Sequence, residues 1–459
     1  MRFWGLLFTI LIIQYNGYSQ DILPKIYLTG DFGNDYQQGT FTIVYADGTM
    51  EENLTADIKW RGGTTNAEGK HKRNYKIKFD DNHSFFGLRN DNKWILDAGQ
   101  ADIFRLRNRI ATELWNDFSN KPYYTDKEPK GLSGVRGNVV ELYLNDEYRG
   151  IYCLTECIDR KQMKLKKFEK DGTIHGCLWK SKGYSSSQMY SVPDSYDNSL
   201  PMMDVFEVEY PDLDDLSQTD YSVLWNALNF VVNSDDNTFI NKVDEYFDLP
   251  VIIDYYLFIN VLGAIDNQGK NMYWAVYDKE DNKKITPAVW DLDMTVGSVT
   301  LEKYNKKFSS PEYNMGDSFN LIKRLKELNV NNFNTKLFDR YAELRISYFA
   351  PNNLIERYQS YYHLIKNTGA AEREQNKWSN DSDIEGMTID FDTEIIYICN
   401  WIEKRIKYLD NVYNYTSSYI IDIDKNKNNN RIYSIIGTHI KTPINKGIYI
   451  INGKKYVVK

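Results

Sequence analysis

The chain has 459 residues, 42% hydrophobic and 15% aromatic, enough apolar surface for a large core and too much for intrinsic disorder. Its 56 basic and 64 acidic side chains leave a formal charge of −8, without the basic footprint of a non-specific nucleic-acid binder. Four cysteines are too few for a disulfide-built scaffold.

In chain order, Met1–Arg2 precedes an apolar run, Phe3–Ile13, shorter than the roughly 18 residues that span a bilayer. Small and polar residues follow, so residues 1–19 are predicted to be a signal peptide cut after Ser19. The mature chain is then expected to be exported, periplasmic, cell-surface or extracellular, with no transmembrane segment. Cys153, Cys157, Cys177 and Cys399 show no zinc or CxxC spacing. Buried free thiols are expected, with a Cys157–Cys177 bridge as the alternative.

From Ile26 to Phe79 the pattern is strand-like, with turns at Ala46–Asp47–Gly48 and a Gly-rich, basic connection between Arg61 and Arg73. Tyr75, Ile77 and Phe79 share one strand face, Lys76 and Lys78 the other. A helix is predicted over Phe104–Phe118 and a hairpin over Val139–Leu154. Mainly helical segments follow, including Val251–Leu262, Phe319–Leu328, Thr335–Ser347 and Thr393–Tyr408. A polar linker (416–430) leads to short strands around the turn Asn452–Gly453, a small all-β module over 431–459. The predicted class is α+β.

The chemistry concentrates at Asp266–Asn271, followed by the strand Met272–Tyr277 and then Val289–Trp290–Asp291–Leu292–Asp293. An Asp, a nearby Asn and a later Asp at a strand end form the carboxylate–amide set used in phosphoryl transfer. One Asp orients the acceptor hydroxyl, while the Asn and later Asp hold divalent metal against nucleotide phosphates. A capped loop end is the structural alternative for Asp266 and Asn271.

Several segments together carry a resemblance: Lys59–Trp60–Arg61–Gly62–Gly63–Thr64–Thr65, Arg73–Asn74–Tyr75–Lys76–Ile77–Lys78–Phe79, Phe86–Gly87–Leu88 with Lys93–Trp94–Ile95–Leu96, and Leu106–Arg107–Asn108–Arg109. They continue through Val140–Asn145, Leu154–Thr155–Glu156, Ile265–Asn271 and Val289–Gly297. In this order they resemble the spore-coat protein H (CotH) kinase-like family, over roughly residues 24–412. The resemblance implies a two-lobed atypical protein-kinase-like fold within 20–415. A β-rich N-lobe with one main helix would span about 24–156, and a mainly helical C-lobe about 157–415. It implies ATP with Mg²⁺ or Mn²⁺, and a protein substrate outside the cytosol. Asp266 would be the catalytic base; Asn271, Asp291 and Asp293 would hold metal. Lys78, or Lys76 on the same face, would pair the phosphates, with Glu113 as its partner. Arg61 and Gly62 would lie over the phosphates. The first loop departs from the family's Arg-Gly-Asn-Ser, reading Arg61–Gly62–Gly63–Thr64. The tail, with Lys446–Gly447–Ile448–Tyr449 and Asn452–Gly453–Lys454–Lys455, resembles Bacteroidetes secretion sorting domains.

The competing reading is a catalytically silent kinase-like surface binding protein or adhesin. Asp31–Phe32–Gly33 spells a kinase motif but precedes every other element, so a turn is expected there. Asp422–Asn426 begins like a calcium loop, yet Lys427 and Tyr433 stand where Gly and Glu are needed. The five histidines show no paired zinc spacing. Oligomeric state is not legible from the sequence.

Overall fold

Apolar residues alternating in period two along Lys25–Thr29, Gln37–Val44 and Asn74–His83 face the inside of a barrel built by the N-terminal strands. The structure, a computed structural model, describes residues 22–298, 310–316, 318–416 and four short strands between 432 and 458. The first seven strands are β1 (Lys25–Thr29), β2 (Gln37–Val44), β3 (Met50–Arg61), β4 (Asn74–His83), β5 (Asp91–Asp97), β6 (Gly137–Leu144) and β7 (Glu147–Thr155). They run in the order β1-β2-β3-β4-β5-β7-β6, and a parallel β1–β6 pairing closes the ring. Tyr75, Ile77 and Phe79 enter a core with Ile26, Phe41, Ile58, Trp94, Leu142 and Leu154. The expected β-rich N-terminal region is thus present as a closed seven-stranded barrel. Strand β5 went unread as a strand because polar Asp91–Asn92–Lys93 masks its alternation.

Helix α1 (Arg107–Phe118) lies between β5 and β6 in sequence. Its Trp115 ring packs against Phe258 and Tyr255, linking the barrel's helix to the helical region. That region comprises α2 (Arg160–Met163), α3 (Ser222–Asn233), α4 (Asp236–Tyr246), α5 (Leu249–Leu262), α6 (Asn320–Glu327), α7 (Phe333–Arg345), α8 (Pro351–Asn367), α9 (Ala370–Trp378) and α10 (Phe391–Val412). It also holds an antiparallel sheet, of which the sequence reading expected only the strand at Met272–Tyr277 and the one ending near Val289. Its strands are β8 (Cys177–Ser181), β9 (Met202–Met203), β10 (Phe206–Tyr210), β11 (Met272–Val276) and β12 (Thr286–Val289), ordered β12-β11-β8-β10-β9. Strands this short leave little periodicity in sequence.

Helix α5 is apolar all round and buried from Val251 to Leu262, as a central core helix must be. It stops at Gly263, whose left-handed conformation (φ 61°) suits glycine and turns the chain into the loop carrying Asp266.

Buried ion pairs tie the barrel to α9 and α10. Arg105 donates to Glu374 (2.7 Å), whose other oxygen accepts from the Ile151 N–H (2.6 Å). Lys72, with no side-chain exposure, lies 3.5 Å from Glu374 and donates to the Ile151 carbonyl at 2.7 Å. Burial lowers the Lys72 pKa to about 7, against the pull of Glu374. Arg107 bridges Asp102 (2.6 Å) and Glu394 (2.5 Å).

All four cysteines are free, so the Cys157–Cys177 alternative is not realised; Cys157 and Cys177 are both buried. The described residues divide into two compact units, one ending at Leu409 and the other beginning at Asp410. In the second, β13 (Ile432–Ser434), β14 (His439–Ile440), β15 (Gly447–Ile451) and β16 (Lys454–Val458) form an antiparallel sheet ordered β14-β13-β15-β16. Ile451 pairs with Lys454, the register of the hairpin expected at Asn452–Gly453. The signal segment and the Asp422–Asn426 run lie outside the described residues. No described helix is long and apolar enough to cross a membrane.

Candidate active site

A cavity of about 360 Å³ opens where the barrel, α1, β8 and two loops meet. The ends of β3 and β5 contribute Arg61 and Asp97; α1 contributes Asn108, Arg109 and Thr112; β8 contributes Lys180. The loop after α5 brings Asp266, Lys270 and Asn271, and the segment after β12 brings Trp290, Asp291 and Asp293. Six sequence-predicted residues, Arg61, Gly62, Asp266, Asn271, Asp291 and Asp293, therefore share one hollow.

The two loops are stapled together. Asn267 donates from its side-chain amide to the carbonyls of Asn271 (3.0 Å) and Trp290 (2.8 Å). The Leu292 N–H donates to Asn108 Oδ1 (3.1 Å), and Asn108 Nδ2 donates to Asp97 (2.7 Å), joining the Asp291 turn to α1 and β5. Both Asn271 (φ 54°) and Asp291 (φ 56°) are held in the left-handed region. Asn and Asp tolerate that region best among non-glycine residues, and such strain clusters at functional sites. Gly62 (φ 111°) is needed for space as well: a Cβ there would lie 2.0 Å from Thr65 Oγ1, whose hydroxyl accepts from Asn74 (3.1 Å).

Asp266 is saturated by its neighbours. Lys270 donates to both of its oxygens (2.9 and 2.8 Å), Asn271 to Oδ2 (2.7 Å) and the Tyr184 hydroxyl to Oδ1 (2.5 Å). Asp291 is exposed to the cavity but enclosed by surrounding protein. That enclosure raises its pKa, Lys180 and Arg61 oppose the rise, and Asp97 and Asp266 add to it. Asp293 is raised well above the carboxylate range by burial and then by Asp291, Asp102 and Asp97. Burial and Arg61 lower Lys180. The Arg61 guanidinium stacks 4.9 Å from the Trp290 ring centre, and Lys180 lies 5.5 Å from the same ring.

The donor set suits a divalent cation and a polyphosphate. Asp291, Asp293 and Asn271 offer hard oxygen ligands, and a bound cation relieves the repulsion that raises both carboxyls. Arg109 adds a structural sign: Nη2 donates to the Val135 carbonyl (2.9 Å), while Nη1 is buried without a partner in the cavity lining.

Three predicted site residues lie elsewhere. Lys78 is exposed and Lys76 half-buried on the barrel's outer face, and neither lines the cavity. Lys76 is the nearer, two residues along β4 from Asn74, which does line the cavity. Glu113 accepts from the Tyr361 hydroxyl (2.6 Å) and lies 3.7 Å from Arg357, so the expected Lys78–Glu113 pair is not formed among the described residues. The second turn of α1 directs Glu113 toward α8 instead of the barrel wall. Asp31–Phe32–Gly33 lies in the irregular connection between β1 and β2 where a turn was expected: Phe32 enters the barrel core and Gly33 accepts from the Trp60 N–H (2.7 Å).

Sequence reasoning missed Asp97, Lys180 and Lys270 as cavity residues. Lys270 stood inside the quoted Asp266–Asn271 motif and was the legible one. Lys180, in Cys-Leu-Trp-Lys-Ser, carries no local signal because strand pairing alone brings it beside Asp291.

The family model described as CotH kinase protein matches residues 58–409. No curated protein matches the chain significantly. The matched span holds every cavity residue named above and most of the chain, and the chain belongs to the CotH kinase protein family.

Proposed function

We propose that this protein is an exported, metal-dependent protein kinase that transfers the γ-phosphoryl group of ATP to Ser or Thr of an exported or cell-surface protein. The observation that carries the reading is the convergence, in one cavity, of Asp266, Asn271, Asp291 and Asp293 with Arg61, Arg109 and Lys180. Bound Mg²⁺ or Mn²⁺ would neutralise phosphate charge there, with Asn271, Asp291 and Asp293 as its ligands.

The chain's own groups take the remaining roles. Asp266 orients the acceptor hydroxyl and receives its proton as the oxygen attacks phosphorus. Lys270, bonded to Asp266, offsets charge on the group in flight. Lys180, Arg61 and Arg109 hold the phosphates, the part expected of Lys78 or Lys76. The barrel and α1 act as the N-lobe and residues 157–415 as the C-lobe. Export rests on residues 1–19, and the module over 431–459 is read as a sorting signal.

The silent surface-binding reading draws on one observation: every oxygen of Asp266 is already engaged by the chain's own donors. Labelled ATP with Mg²⁺ or Mn²⁺ separates the two. The parent should transfer label to itself or to added proteins. Asp266→Asn should bind ATP–metal nearly as well, yet lose roughly 10²–10⁴-fold in transfer, the worth of a general base. A parent that binds ATP–metal and transfers nothing supports the silent reading.

A further inference from the structure

The partner on Asp266 Oδ1 has the chemistry of a substrate. Tyr184 donates its hydroxyl to that oxygen at 2.5 Å, inside the reach a general base needs for the proton it abstracts. The other oxygen, Oδ2, accepts from Asn271, a proposed metal ligand (2.7 Å). The carboxylate thus has the metal-binding side of the loop at one oxygen and a phenol at the other. The Lys270 ammonium, 2.8 Å from Asp266, lies 5.1 Å from the centre of the Tyr184 ring. Tyr184 is 42% exposed, so its ring is not locked in a core while its hydroxyl rests on the base.

The segment bearing Tyr184 is built to hold it there. It leaves β8 directly, so the strand that supplies Lys180 to the cavity also places Tyr184. Ser181 Oγ donates to the Gly269 carbonyl (2.6 Å), and Ser187 Oγ donates to the carbonyls of Gly183 (2.6 Å) and Tyr184 (2.8 Å). Gly269 (φ 94°) permits the approach, since a Cβ there would lie 2.4 Å from the Ser187 carbonyl oxygen. Ser185, next to Tyr184, is held at φ 30°, a conformation a serine adopts only when its surroundings impose it.

We propose that Tyr184 is an acceptor of this site's own phosphoryl transfer, modified within the same molecule; the proposal rests on the kinase reading above. The phenolic oxygen attacks the γ-phosphorus of ATP and its proton passes to Asp266. The bond from γ-phosphorus to the β,γ-bridging oxygen breaks, and ADP leaves. Tethering supplies the proximity that a free acceptor lacks, so a preference for Ser or Thr in other proteins does not apply to it. The phosphotyrosine, at roughly −1.5 to −2 charges, is repelled by Asp266. Oδ1 is thereby released for an incoming hydroxyl.

The test incubates the full chain with ATP and Mn²⁺ or Mg²⁺ and maps phosphosites by mass spectrometry across a wide range of protein concentration. Phosphate at Tyr184 is expected, with a rate constant independent of concentration and lost in Asp266→Asn. Tyr184→Phe should lower incorporation by a single phosphate per chain. Phosphate on other residues or added proteins with Tyr184 unmodified overturns this proposal and leaves the kinase reading standing. Modification of Tyr184 that slows on dilution overturns the intramolecular step. ATP–metal binding with no transfer anywhere overturns both.

Discussion

Two groups of enclosed charges in this molecule are solved in opposite ways. Around Ile151, Glu374 is answered at both oxygens, by Arg105 and a main-chain N–H, with Lys72 close by. In the cavity, burial and neighbouring carboxylates raise the pKa of both Asp291 and Asp293, and Arg109 keeps a guanidinium nitrogen buried and unanswered. Buried charge that is fully paired locks barrel to helices. Charge that is gathered and left unbalanced, on loops held at positive φ, waits for a ligand to balance it.

Removing one partner should therefore separate the groups sharply. Glu374→Ala strands Arg105, and with it Lys72, in a buried site and should cost about 3–5 kcal/mol in denaturant unfolding, the usual penalty for half of a buried pair. A loss comparable to an ordinary surface substitution would break the contrast.

In the cavity the same kind of change should act on binding and not on stability. Asp291→Ala is expected to weaken metal-promoted ATP binding by about 10–100-fold in calorimetry, the range typical of damaged metal sites. Its melting temperature should hold or rise, because a repelling carboxylate is gone. Unchanged metal-dependent binding would remove Asp291 from the ligand set.

Lys180 and Lys78 sharpen the assignment of phosphate contacts. Lys180→Met should weaken ATP binding by about tenfold, the scale of a charge-assisted hydrogen bond, whereas Lys78→Met should leave it unchanged. The reverse result would return the role to the barrel's outer face.

The smallest effect concerns a paired histidine that does not line the cavity. His175 meets Asp278 (2.8 Å) and Glu169 (2.9 Å), and those bonds raise its pKa above the ordinary 6.5. Its contribution to stability is then complete below pH 6.5 and lost as pH rises through the folded-state pKa. His175→Gln should melt lower than the parent below pH 6.5, with the gap closing at higher pH. A gap constant with pH would mean that His175 serves by packing alone.

Local signals made much of this legible before the structure. Alternation placed Tyr75, Ile77 and Phe79 inside and Lys76 and Lys78 outside, because a strand's side chains must alternate between faces whatever it pairs with. The Asp266–Asn271 loop was readable because the apolar α5 run ends at Gly263 and its polar residues stand together in sequence. The Lys78–Glu113 pair failed for a complementary reason. Face alternation says which residues share a side but not how far along it the cavity reaches: Asn74 on that face lines the cavity, whereas Lys76 and Lys78 lie further along β4.

The sequence by itself determined the α+β class, the strand faces, the α5 stop and the motif that gathers Asp266, Asn271, Asp291 and Asp293. These depend on periods and turn chemistry acting within a few residues. Only the tertiary structure decided that seven strands close a barrel through a parallel β1–β6 pairing. It also decided that β8 pairs with β11, setting Lys180 in the cavity and leading into the turn that rests Tyr184 on Asp266. Such pairings join residues far apart in the chain. Hydrogen-bond registers and shared burial select them, and no local pattern of residues encodes either.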